Sequence, residues 1–115
     1  WYKDRAARQF AERLDTVRQQ APWAAELRLE LALRRMRRTW GTCRLLGERR
    51  GVIRLNTHLV KAPPRCLDFV IGHELCHLQE MNHGPGFYRL QEAICPDWRE
   101  LRDELRERGH HYTQE

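Results

Sequence analysis

The chain has 115 residues, of which 41% are hydrophobic and 32% charged, and it carries a formal net charge of +5. That leaves room for one domain with one modest core, and the composition is that of a globular protein rather than a disordered one. No apolar run is long enough to span a membrane, and no N-terminal stretch has the charged, apolar, small-residue order of a secretory signal.

In chain order, residues 3–20 carry Phe10, Leu14 and Val17 at helical spacing, with charges elsewhere, which predicts an amphipathic helix. Ala21-Pro22 ends it, because the residue before a proline avoids the helical region. In residues 26–40 the leucines at 27, 29, 31 and 33 alternate with mostly polar neighbours, which is strand periodicity. GERRG at 47–51 is turn chemistry between TWGTCRLL and VIRLN, so these segments form a hairpin. Thr57 to Pro64 is a connection or a single helical turn. Pro64 suits a first helical position and starts a helix running to about Met81. A further helix starts near Pro85, with Phe87, Leu90 and Ile94 on one face. The last follows Pro96-Asp97 and aligns Trp98, Leu101 and Leu105. The expected class is therefore α+β: an N-terminal helix, a small antiparallel sheet of about three strands, and helices packed on one face. One domain is expected over 1–109, with a flexible tail at 110–115. Trp1, standing where an initiator methionine would, suggests a piece of something longer.

Cys43, Cys66, Cys76 and Cys95 form no CxxC pair and no dense framework, so reduced thiols in a cytoplasmic protein are expected. Lysine occurs only at Lys3 and Lys61; every other basic residue is arginine. Eight arginines (34, 35, 37, 38, 44, 49, 50 and 54) face a single acid, Glu48, between Arg34 and Arg54. Such a patch could dock on phosphate. Arginines at 5–18 and 99–108 favour the plainer reading of a solvated surface.

The chemistry concentrates in GHELCHLQEMNH, residues 72–83. On a wheel of about 100° per residue, Leu67, Val70, Ile71, Leu75, Leu78 and Met81 form one apolar arc, with Asp68, Gly72 and Gln79 opposite. Glu74 falls in the middle of the apolar arc and His73 and His77 on its border. Burying a lone carboxylate costs several kcal/mol, on the order of what a core avoids without a purpose. Histidines at i and i+4 project from one face at the separation that holds one metal ion, and the glutamate between them reaches a water on that ion as general base. A third ligand must come from beyond the helix. His83 leads, since Asn82 and Gly84 can take positive φ and turn the chain back; Glu80 and Glu92 are the alternatives. Cys76 is placed on the solvent side, as a bystander thiol. The site so assembled is an open, water-bearing zinc centre.

A metzincin would have a glycine where Glu80 stands, and a downstream methionine turn that Met36 and Met81 do not supply. The sequence instead resembles the YgjP-like metallopeptidases, related to SprT and the Spartan protease domain. Trp40-Gly41-Thr42-Cys43, Ile53-Arg54-Leu55-Asn56 and His73-Glu74-Leu75-Cys76-His77, continuing through Asn82-His83-Gly84-Pro85-Gly86-Phe87, carry the likeness in order; Thr42 departs from the more usual serine. The resemblance implies a minimal zincin, a zinc-dependent hydrolase of peptide bonds with His73, His77 and His83 on one zinc ion and Glu74 as base. It implies a peptide or protein substrate that adds as a strand near Gly51–Asn56, with Trp40 and Asn56 structural. Tyr88, His58 and Arg54 are candidates to stabilise the oxyanion. Two rival readings stand beside it. One is an SprT-like, DNA-associated protease or nucleic-acid-binding module that uses the Arg34–Arg54 patch. The other is a catalytically silent zinc fold.

Overall fold

The computed structural model describes residues 2–80 and 83–108, with side chains from residue 5 onward. Met81, Asn82, the 109 boundary and the 110–115 tail lie outside the described residues. The elements are α1 (Tyr2–Arg18), β1 (Arg28–Arg34), β2 (Gly41–Gly47), β3 (Arg50–Asn56), α2 (Pro64–Gln79), α3 (Pro85–Ile94) and α4 (Trp98–Arg108), with short 3-10 turns at Pro22–Ala24 and Thr57–Lys61. Each expected helix and strand is present, and the class is α+β.

The apolar stripe of α1 is buried through Phe10, Leu14 and Val17. The helix stops at Arg18, whose guanidinium donates to the carbonyls of Ala24 at 3.1 Å and Leu27 at 2.6 Å, bracing the bend into β1. The alternating leucines of β1 point to the core and pack against it.

The sheet corrects one expectation. Its order is β1-β3-β2, and although β2 and β3 form the antiparallel hairpin, β1 runs parallel to β3, pairing Arg28 with Arg50 through Arg34 with Asn56. The sheet is mixed because the chain leaves β1, crosses to the far edge, and returns through the hairpin into the middle, in β1's own direction. Leucine alternation marks a strand but says nothing about which neighbour it takes. A second correction follows. With both flanks of β3 occupied, no peptide can add along Gly51–Asn56; among the described residues the sheet's edges are β1 and β2.

At one end of β3, Asn56 is wholly buried. Its amide nitrogen donates to the carbonyls of Met36 and Thr39 at 3.1 and 3.0 Å, and its oxygen accepts from the His58 backbone N–H at 3.0 Å. One side chain thus ties the β1–β2 crossing to the 3-10 turn that leads into α2, the structural role expected of it. Trp40, 3% exposed, fills the adjoining core.

The sheet and the other helices enclose α2 between them. The described residues of its apolar arc are buried, as the wheel predicts, with Val70 and Leu78 against Gly41 and Gly51 of the sheet, but the opposite side is not solvent: Gly72 and Cys76 are buried too. At Gly72 an added Cβ would come within 3.0 Å of Ile94 Cγ2 and 3.7 Å of Val17 Cγ1, so a side chain there would press α1 and α3 away. Asp68 sits at the surface of that seam in a bidentate pair with Arg13. The helix ends at Gln79, capped by Glu80. Gly84 is extended, at φ −92°, and no described residue has positive φ, so the turn towards His83 does not draw on Gly84 in the way expected.

Candidate metal centre

His73 and His77 stand one turn apart in the second half of α2, 5% and 7% exposed. His83, exposed, precedes the N-terminus of α3. The three imidazoles converge. Ring centroids lie 4.7 Å apart for His73–His77, 4.6 Å for His77–His83 and 5.4 Å for His73–His83. One nitrogen from each can be chosen so that all lie within 4.8 Å of one another. Nε2 of His83 and Nε2 of His77 are 2.8 Å apart. On its other side His73 presents Nδ1 to Oε1 of Gln91 at 2.7 Å.

One phenyl ring supports all three histidines. Phe87, 1% exposed, lies 5.0 Å from the His73 ring and 4.7 Å from each of His77 and His83. It reaches them because Pro85 starts α3 just beyond His83, so the first turn of α3 brings its apolar face onto the last turns of α2. Tyr88 follows on the rim, 6.2 Å from His83 and stacked on Trp98.

Glu74 is 2% exposed and turns towards β2. It lines a narrow gap with Trp40, Gly41, Phe69, Val70 and His73. Gly41 makes the close approach possible: a Cβ there would meet Val70 Cγ1 at 2.9 Å and Glu74 Cγ at 3.4 Å. Burial pushes the Cys43 thiol well up, reinforced by the charge of Glu74 and a hydrogen bond to it. Cys76, buried rather than solvent-facing, is pushed up to about 12 by the same two influences, burial first and Glu74 second. It remains outside the histidine cluster.

The sequence matches the YgjP-like metallopeptidase domain over residues 1–108. The chain belongs to the YgjP-like metallopeptidase family. A solved structure, the metallopeptidase zymogen of Pyrococcus abyssi abylysin, aligns with a TM-score of 0.76 over 90% of this chain and 98% of that one, at 15% identity. The architecture is therefore one that a metallopeptidase adopts. No curated protein matches the sequence. The family brings with it a metallopeptidase function in general terms, a metal ion, and peptide or protein substrates.

Within this YgjP-like domain the sequence-derived residues divide clearly. His73, His77 and His83 come together with Glu74 alongside. Glu80 lies instead against Gly86, and Glu92 pairs with Arg99 at 3.2 Å; neither joins the cluster. Of the three oxyanion candidates only Tyr88 adjoins the histidines. His58 packs beside Trp40 at 6.0 Å, and Arg54, in register with Thr42 and Ala32, is on the sheet face away from α2. The sequence places Phe87 on the apolar face of α3 and at the end of the family-like block, and it gives Gln91 no role. The signal for Gln91 was present: it lies four residues after Phe87 and three before Ile94, a polar residue at the centre of an apolar face, which is the same anomaly that marks Glu74.

Proposed function

We propose that this domain hydrolyses peptide bonds with one zinc ion held by His73, His77 and His83, and that Glu74 is the general base. The observation that carries the reading is the convergence of three imidazoles on one point beside a buried carboxylate. The donor set fits the ion: neutral imidazole nitrogens suit zinc, and three of them leave a fourth position for water or substrate. Bound there, zinc would supply a Lewis acid that acidifies the attacking water and polarises the scissile carbonyl. Glu74 accepts the water's proton and delivers it to the amine nitrogen as the C–N bond breaks. The wall of Trp40, Gly41 and Val70 fixes the carboxylate's direction. An extended substrate would pair along the free edge of β2, the strand whose Gly41 touches Glu74, rather than along β3.

Metal analysis and a casein-type cleavage assay, with and without chelator, test this. Glu74→Gln is expected to keep zinc and lose cleavage, and His77→Ala to lose both. Full activity in Glu74→Gln would sink the base assignment. Stoichiometric zinc in a wild type that cleaves no unfolded protein would favour the silent zinc fold.

A second activity is favoured by one specific observation. On the sheet face away from α2 the register aligns Arg28, Arg34, Arg44, Arg50 and Arg54, with Glu30 the one acid among them. Many helical arginines are paired: Arg13 with Asp68, Arg65 with Glu104, Arg99 with Glu92. On this face Arg50 bridges to Glu30 at 3.4 Å, whereas Arg28, Arg34, Arg44 and Arg54 form no ion pair among the described residues. An arginine face of this kind fits the phosphate backbone of nucleic acid, and its described strand residues include no aromatic ring for base stacking. Titration with single- and double-stranded DNA should show binding that weakens steeply with salt. Negligible binding at low salt removes this reading and leaves the peptidase untouched.

A further inference from the structure

Gln91 belongs to α3, where Phe87, Gln91 and Ile94 form the buried face against α2. It is 2% exposed. A leucine would satisfy packing there, and an amide in such surroundings costs free energy unless it is hydrogen-bonded. Its oxygen meets Nδ1 of His73 at 2.7 Å, between two buried side chains. A carbonyl oxygen only accepts, so this contact requires the proton on Nδ1. A neutral imidazole protonated at Nδ1 has its lone pair on Nε2.

We propose that Gln91 is a positioning residue for the metal centre: it fixes His73 as the Nδ1–H tautomer, presents Nε2 as the ligand atom, and holds the ring against rotation. The inference rests on the zinc reading and extends it to a residue on a different helix. Phe87 and Gln91, one turn apart on α3, divide the work. The phenyl ring sets where the three imidazoles lie, through ring contacts, and the amide sets which nitrogen of His73 faces the ion. His77 and His83 meet each other through Nε2, whereas His73 meets an amide on another helix through Nδ1. Partners of this kind to metal-bound histidines are typically worth 10- to 100-fold in metal affinity.

The test compares wild type, Gln91→Leu and Gln91→Glu by zinc affinity, measured in chelator competition. In parallel, ring-nitrogen NMR shifts of His73 are read in the metal-free wild type. Gln91→Leu, close in volume but unable to accept, is expected to weaken zinc binding about 10- to 100-fold. Gln91→Glu, which accepts at the same place, is expected to stay within a few-fold of wild type. The wild-type spectrum is expected to show His73 protonated at Nδ1, a readout that needs no variant to fold. Gln91→Leu binding zinc as tightly as wild type, Gln91→Glu binding as weakly as Gln91→Leu, or an Nε2–H tautomer for His73 would each overturn the positioning role while leaving the zinc site standing. A wild type that takes up no zinc overturns the metal-centre reading itself, and this inference with it.

Discussion

Glu74 and Gln91 illustrate one rule: a polar side chain placed where packing alone would put an aliphatic one has another partner. Glycine gives the complementary rule, since Gly41 is present for what it lacks. A methyl group at 41 would stand 2.9 Å from Val70 Cγ1, 3.3 Å from the Arg54 carbonyl and 3.4 Å from Glu74 Cγ. Valine is branched at Cβ and cannot swing aside, and the carbonyl belongs to the central strand. Gly41→Ala is therefore expected to cost about 1–3 kcal/mol, as overpacking does. Cleavage should fall with zinc content preserved, because the displaced group is the carboxylate and not a histidine. Denaturant melting alongside zinc analysis checks this, and unchanged stability and activity would show that the β2–α2 contact is looser than its geometry.

At the scale of elements, the sequence was legible wherever a property is local. Phe10-Leu14-Val17, the leucines of β1, GERRG, and the prolines at 64 and 85 each place an element through its own residues. HExxH was legible for the same reason, since one helix carries His73, Glu74 and His77. Relations between elements were less so. Leu29, Leu31 and Leu33 do not encode a parallel partner. The wheel's polar side of α2 reads as solvated because nothing in residues 64–79 announces that α1 and α3 meet at Gly72 or that Cys76 is buried. Gln91 is not legible because its partner lies 18 residues earlier, on a different helix.

For the molecule as a whole, its buried thiols couple stability to alkaline pH. Cys66 is wholly buried, and burial first, then a hydrogen bond to Glu104, pushes its thiol from 9.0 up to about 11. Between these values the folded chain holds a proton that the unfolded chain has released. The contribution is therefore fully present below about pH 9 and lost as pH rises towards 11. Thermal midpoints measured from pH 7 to 10.5 should fall more steeply above pH 9 for wild type than for Cys66→Ala. Parallel slopes would show that the thiol plays no part.

The enclosure of α2 has a consequence for how such a chain can vary. Of its 16 residues, 12 are buried, touching the sheet on one side and three helices on the other. Most surface helices keep an outer face on which substitutions accumulate at little cost. This one has almost none, so the segment bearing the candidate chemistry is also the one least able to drift. Diversification is left to strand tips and the exposed sides of α1 and α4. Candidate ligands and core residues thus share one buried helix.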